Sequence, residues 1–90
     1  MIKLINLLEL EINKQRTWDV TQENWPNLNS TIFDKIKVGD KIKDEYFIGT
    51  VYSKGEDEMV GMCIDYQDDN DEDNQKFLTR DWFDDVSQEL

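Results

Sequence analysis

Histidine is absent from this chain of 90 residues, and cysteine and proline occur once each, as Cys63 and Pro26. Without histidine, the commonest general base near neutral pH and the imidazole ligands of metal sites are both missing. A lone cysteine permits no intrachain disulfide, so folding rests on packing, and a reducing, cytoplasmic setting is expected. Cys63 stands in the run "MVGMCIDY", which offers no base to lower its pKa, so it reads as a buried structural thiol rather than a nucleophile. Glycine is scarce as well: Gly39, Gly49, Gly55 and Gly61 match neither a P-loop nor GxGxxG. No apolar run approaches the roughly 20 residues of a membrane span. "MIKLINLLELEINK" is interrupted by Asn6, Glu9 and Glu11 and followed by no small-residue cleavage site, so it reads as structure retained in the chain.

The second half is also poor in bases. Residues 1–43 carry six acids and seven bases, whereas residues 44–90 carry fifteen acids and only Lys54, Lys76 and Arg80, a local charge of −12 within a net −11. Direct binding to nucleic acid needs clustered Lys and Arg to release counterions, so this asymmetry disfavours it and points instead to a positively charged partner.

Met1, Leu4, Ile5, Leu8 and Ile12 recur at helical spacing and predict a helix over residues 1–16. Leu7 and Leu10 fall off its main stripe, so two layers or a partner should cover it. Residues 17–30, with Trp18, Trp25 and Pro26, read as a connector, and one of the two tryptophans should cover the core or the helix. Thr31–Ile36 suits either a short helix capped by Ser30 or a strand with Ile32 and Ile36 inward. "KVGDKI" contains a Gly-Asp turn leading into a sheet. "EYFIGTVYS" and "EMVGMCIDYQ" read as an antiparallel hairpin reversing at "KGED", with Val60, Met62, Ile64 and Tyr66 on the core face. An acidic loop over residues 67–74 follows, then a strand at "QKFLT" and a closing turn or short helix in "RDWFDDVSQEL". The expectation is one α+β domain over residues 1–90, its N-terminal helix packed on a small antiparallel twisted sheet or SH3-like partial barrel.

The acidic run invites a calcium test. Placing Asp69, Asp71 and Asp73 at the first, third and fifth positions of an EF-hand loop puts Asn74 where the glycine belongs and Arg80 where the bidentate glutamate belongs. The register fails, and no metal site or cofactor is expected. Paired carboxylates are abundant, but nothing implies a sugar cleft around them. No enzymatic activity is expected.

What remains is an acidic surface interleaved with aromatics. Asp68 to Asp73 places five charges in six residues. On extended backbone that is about one charge per 4 Å, against about one phosphate per 3.4 Å of a DNA strand. Glu56, Asp57 and Glu58 form a second cluster, at the opposite end of the intervening strand. In a third, Asp81, Asp84 and Asp85 surround Trp82, joining an interface anchor to electrostatic steering. The candidate partner-binding residues are therefore Glu56, Asp57, Glu58, Asp68, Asp69, Asp71, Glu72, Asp73, Asp81, Trp82, Asp84 and Asp85. Trp82 and Phe83 also suit closure of the core, with at least one packed inside.

In size, acidity and lack of catalytic residues the chain resembles phage-encoded inhibitors that imitate DNA, including anti-CRISPR and anti-restriction proteins. The resemblance is one of profile and shares no motif. It implies a small acidic binding protein that docks on a basic, nucleic-acid-binding surface of another protein in the host cytoplasm and blocks it. The competing expectation is an SH3-like interaction or assembly module that uses apolar contacts through Leu7, Leu10 or the Trp82-Phe83 pair.

Overall fold

The computed structural model describes residues 15–88. The helix predicted over residues 1–16 lies outside them, except for Gln15 and Arg16, which have no regular structure. In order come Thr17–Asp19 (β1), a 3-10 turn at Gln22–Asn27, Ser30–Lys35 (α1), Lys41–Lys43 (β2), Ile48–Asp57 (β3), Gly61–Asp68 (β4), Asp71–Thr79 (β5) and Arg80–Gln88 (α2). The fold is α+β, with one five-stranded sheet in sequential order. It is mixed rather than wholly antiparallel as expected. β1 pairs parallel with β2, because the chain between them crosses over through the 3-10 turn and α1, while β2 to β5 form an antiparallel meander.

Thr31–Ile36 resolves as helix rather than strand. Its cap is Asn29, not Ser30: the Asn29 side chain accepts from the Ile32 N–H at 3.0 Å. The Ser30 N–H instead donates to Asp84 Oδ1 at 2.7 Å. This bond and the Arg80–Asp34 ion pair tie α2 antiparallel to α1. Phe33, Ile36, Phe83 and Val86 from the helices pack on Ile42, Val51, Ile64 and Tyr66 of the sheet, and Val20 and Leu28 close the ends. Phe33 and Phe83 meet edge to face with centroids 5.5 Å apart. Phe83 is fully buried and Trp82 partly buried beside it; Trp18 and Trp25 both lie against the core.

The first hairpin forms as expected between β3 and β4, but its reversal lies beyond "KGED". β3 runs on to Asp57, and the turn is Glu58–Val60. Asp57 Oδ1 accepts from the Met59 and Val60 N–H groups, and Gly61 takes the positive φ of +78° that the turn requires. Gly55 is ordinary strand. Ile64 and Tyr66 are buried as expected. Val60 and Met62 share their strand parity but remain 39% and 37% exposed, because the hairpin arm extends past the helix layer.

The expected acidic loop over residues 67–74 is also mostly strand. The chain reverses at Asp69–Asn70, Asp68 pairs with Asp71, and β5 carries Glu72 and Asp73 back along the sheet. The extended spacing that likened this run to a phosphodiester backbone therefore does not occur. Cys63 lies on the sheet face opposite Ile64 and is partly exposed rather than buried. Burial and the nearby Asp65 and Asp57 carboxylates nevertheless push its thiol pKa up, which keeps it protonated.

Candidate acidic interface

The meander separates the acidic clusters. Glu56, Asp57 and Glu58 lie at the β3–β4 tip, where Asp57 pairs with Gly61. Asp68, Asp69, Asp71, Glu72 and Asp73 surround the other end of β4. The seven-residue offset between Gly61 and Asp68 corresponds to roughly 23 Å of strand. β5 then returns to pair Thr79 with Cys63, so α2 begins toward the β3–β4 tip and brings Asp81 to that end. α2 thus starts from the side of the β3–β4 tip, and the β4–β5 turn lies at the other end of the strands.

Hydrogen bonding divides these twelve residues further. Asp57 caps its turn. Asp68 Oδ1 accepts from Asn70 N–H at 2.9 Å and Oδ2 from Asn74 Nδ2 at 3.3 Å. Asp69 accepts from Lys41 Nζ at 2.8 Å and Thr50 Oγ1 at 2.6 Å, bonds that pull its pKa below the ordinary carboxylate value. Asp71 accepts from the Asp73 N–H at 3.1 Å, and Asp84 holds the first turn of α1. Trp82 packs edge to face on Trp25 at 6.0 Å and on Phe83 at 5.3 Å, which makes it chiefly a core residue. Glu56, Glu58, Glu72, Asp73, Asp81 and Asp85 remain. Among the described residues their side chains accept no hydrogen bond and form no ion pair.

The three bases of the acidic half each engage a partner within the chain. Lys54 Nζ donates to the carbonyls of Phe33, Asp34 and Ile36 at 3.1, 3.3 and 2.7 Å, closing the C-terminal end of α1. Arg80 forks onto Asp34 at 2.9 and 3.1 Å; that bond lowers the Asp34 pKa and raises that of Arg80. Lys76 lies over the Tyr46 ring, 3.9 Å from its centroid.

Two arrangements escaped the sequence reading. Asp40 is only 5% exposed, and its carboxylate accepts from Trp18 Nε1 at 2.9 Å, Lys37 N–H at 3.0 Å and Arg16 N–H at 3.4 Å. It thereby knits β1 to the α1–β2 connection. The second is centred on Asp44. Burial raises its pKa, but a 2.6 Å bond from Tyr66 O–H and the N–H groups of Phe47 and Tyr46 outweigh that and leave it lowered. Burial and the same carboxylate push the Tyr66 hydroxyl well above its ordinary value. The only advance signal was the spacing of Asp44 two residues before Tyr46, typical of an Asx turn.

Among the described residues, no group of three or more Cys, Asp or Glu side chains could hold a metal ion, and no helix is long and apolar enough to cross a membrane. No family model matches the chain, and no curated protein or solved structure matches it.

Proposed function

We propose that this chain is a small acidic binding protein, without enzymatic activity, that docks on the basic, nucleic-acid-binding surface of another protein and inhibits it by competition. One observation carries the reading: the acidic half compensates almost none of its own exposed charge. Lys54, Lys76 and Arg80 are committed to carbonyls, an aromatic ring and Asp34, while Glu56, Glu58, Glu72, Asp73, Asp81 and Asp85 project unpaired among the described residues. Such a field attracts cationic surfaces and speeds encounter with them. The partner's basic surface would straddle several strands rather than follow one extended acidic segment, since the acids occupy a hairpin tip, an edge strand and a helix.

Competition tests this directly. Immobilised chain should retain a nucleic-acid-binding protein from host lysate at low salt and release it as salt rises. The purified retained protein should lose its labelled DNA or RNA when one equivalent of the chain is added. Retention that is insensitive to salt, or a retained protein that binds the chain and nucleic acid together, would contradict the reading.

A further inference from the structure

A cavity of about 320 Å³ opens between the 3-10 turn, the loop after β2, β5 and α2, with Trp25, Trp82, Tyr46, Asp44, Glu45 and Lys76 among its walls. It lies at the lower end of the range for small-ligand sites, about 300–1,000 Å³. Its aromatic wall is preformed: Trp25 and Trp82 are locked edge to face, and the Trp25 indole N–H donates to the Val20 carbonyl at 3.1 Å. The acidic rim is half used. Glu45 Oε1 accepts from the Gln22 N–H at 2.8 Å, while Oε2 has no partner among the described residues.

The chain already seats a cation here. Lys76 Nζ lies 3.9 Å from the Tyr46 centroid and 5.5 Å from that of Phe47, and among the described residues it forms no ion pair. The Tyr46 ring face and the nearby Asp44 carboxylate thus already accommodate one ammonium at the mouth of the cavity. A guanidinium suits the remaining space better than a second ammonium, because its plane stacks on indole and its fork matches a carboxylate.

We propose that this cavity is the anchor point for an arginine side chain of the basic partner, stacked on the Trp25–Trp82 wall and bonded to Glu45. The proposal rests on the reading of a basic partner and names where that partner is gripped. Lys76 acts as a placeholder that the incoming arginine displaces from Tyr46.

The test uses N-acetyl-arginine methylamide as probe and the indole N–H resonances of the three tryptophans as readout. Saturable shifts are expected at Trp25 and Trp82 and none at Trp18. The neutral isostere N-acetyl-citrulline methylamide should bind about fivefold more weakly, and Glu45→Gln should cost a similar factor. Lys76→Met should tighten the probe severalfold, an effect that a purely structural lysine would not produce. Equal binding of citrulline and arginine, or shifts that spare Trp25 and Trp82, would overturn the proposal. Reversing Glu72 and Asp73 should leave probe binding unchanged while weakening capture of the whole partner, so failure of the cavity and failure of the docking reading give different results.

Discussion

The β1–α1–β2 end of the molecule and the β3–β5 arms both contain carboxylates, but they use them in opposite ways. At the first end Asp40 is buried and saturated by three N–H donors, and Arg16, Lys35 and Lys37 line the same cleft as its carboxylate. Along the arms acids outnumber bases, and Glu56, Glu58, Asp65, Glu72 and Asp73 have no internal partner among the described residues; on α2 the same holds for Asp81 and Asp85. A carboxylate that accepts backbone N–H groups belongs to the architecture. One that accepts nothing is available for recognition, at a cost in self-repulsion that an acidic fold tolerates only in exposed places.

Asp40→Ala should have the largest effect on stability. It strands three donors at a buried site and should cost about 3 kcal/mol, read as a lower urea midpoint. Asp40→Asn, which keeps one acceptor oxygen, should fall between. Next is Gly49→Ala, where an added Cβ would lie 2.5 Å from the Gln67 carbonyl oxygen of β4, closer than real contacts allow. Forcing the strands apart should cost about 2 kcal/mol by the same measurement. Lys54→Met removes the cation from three carbonyls at the end of α1 and should cost about 1–2 kcal/mol.

The pH dependence sharpens the same division. Asp19, Asp34, Asp44 and Asp69 all have folded pKa values below the ordinary one, through bonds from Thr21, Arg80, Tyr66 and Lys41 respectively. Their contribution is complete above the unfolded value, about 3.9, and is lost as pH falls through the depressed folded values. Tyr66 has the opposite sign: its raised pKa contributes below its unfolded value of about 10 and is lost as pH rises beyond it. Thermal unfolding should therefore show a plateau between about pH 5 and pH 8, with an alkaline fall that Tyr66→Phe reduces and to which the raised Cys63 thiol also contributes.

Much of the scaffold was legible in the sequence. Alternation identified Ile64 and Tyr66 as core, and the hairpin of β3 and β4 followed from β-branched and aromatic content. What alternation cannot show is where a strand outruns its cover, so Val60 and Met62 were assigned to a core that ends before them. The reversal at Glu58–Val60 was hidden because Gly55 offered a plausible turn, while the working turn depends on the Asp57 side chain and on Gly61. The acidic run read as a loop because Asp and Asn are poor strand formers. Pairing with β4 overrides that weak preference. The acids themselves were found by counting. Their division into structural and unpaired sets was not, since it depends on bonds between residues as distant as Asp69 and Lys41, or Asp84 and Ser30.

The smallest expected effect on stability is also the most informative for function. Reversing Glu56, Glu58, Glu72, Asp73, Asp81 and Asp85 to lysine changes surface carboxylates without hydrogen-bond partners, so each change should move stability by about 0.5 kcal/mol or less, and Asp81, in the first turn of α2, by about 1 kcal/mol. The decisive measurement is retention, by this sixfold variant, of the nucleic-acid-binding protein captured by the parent chain. An intact cooperative unfolding transition is expected, with retention lost even at low salt. A folded variant that retains the same protein with the same salt dependence would contradict the proposed docking.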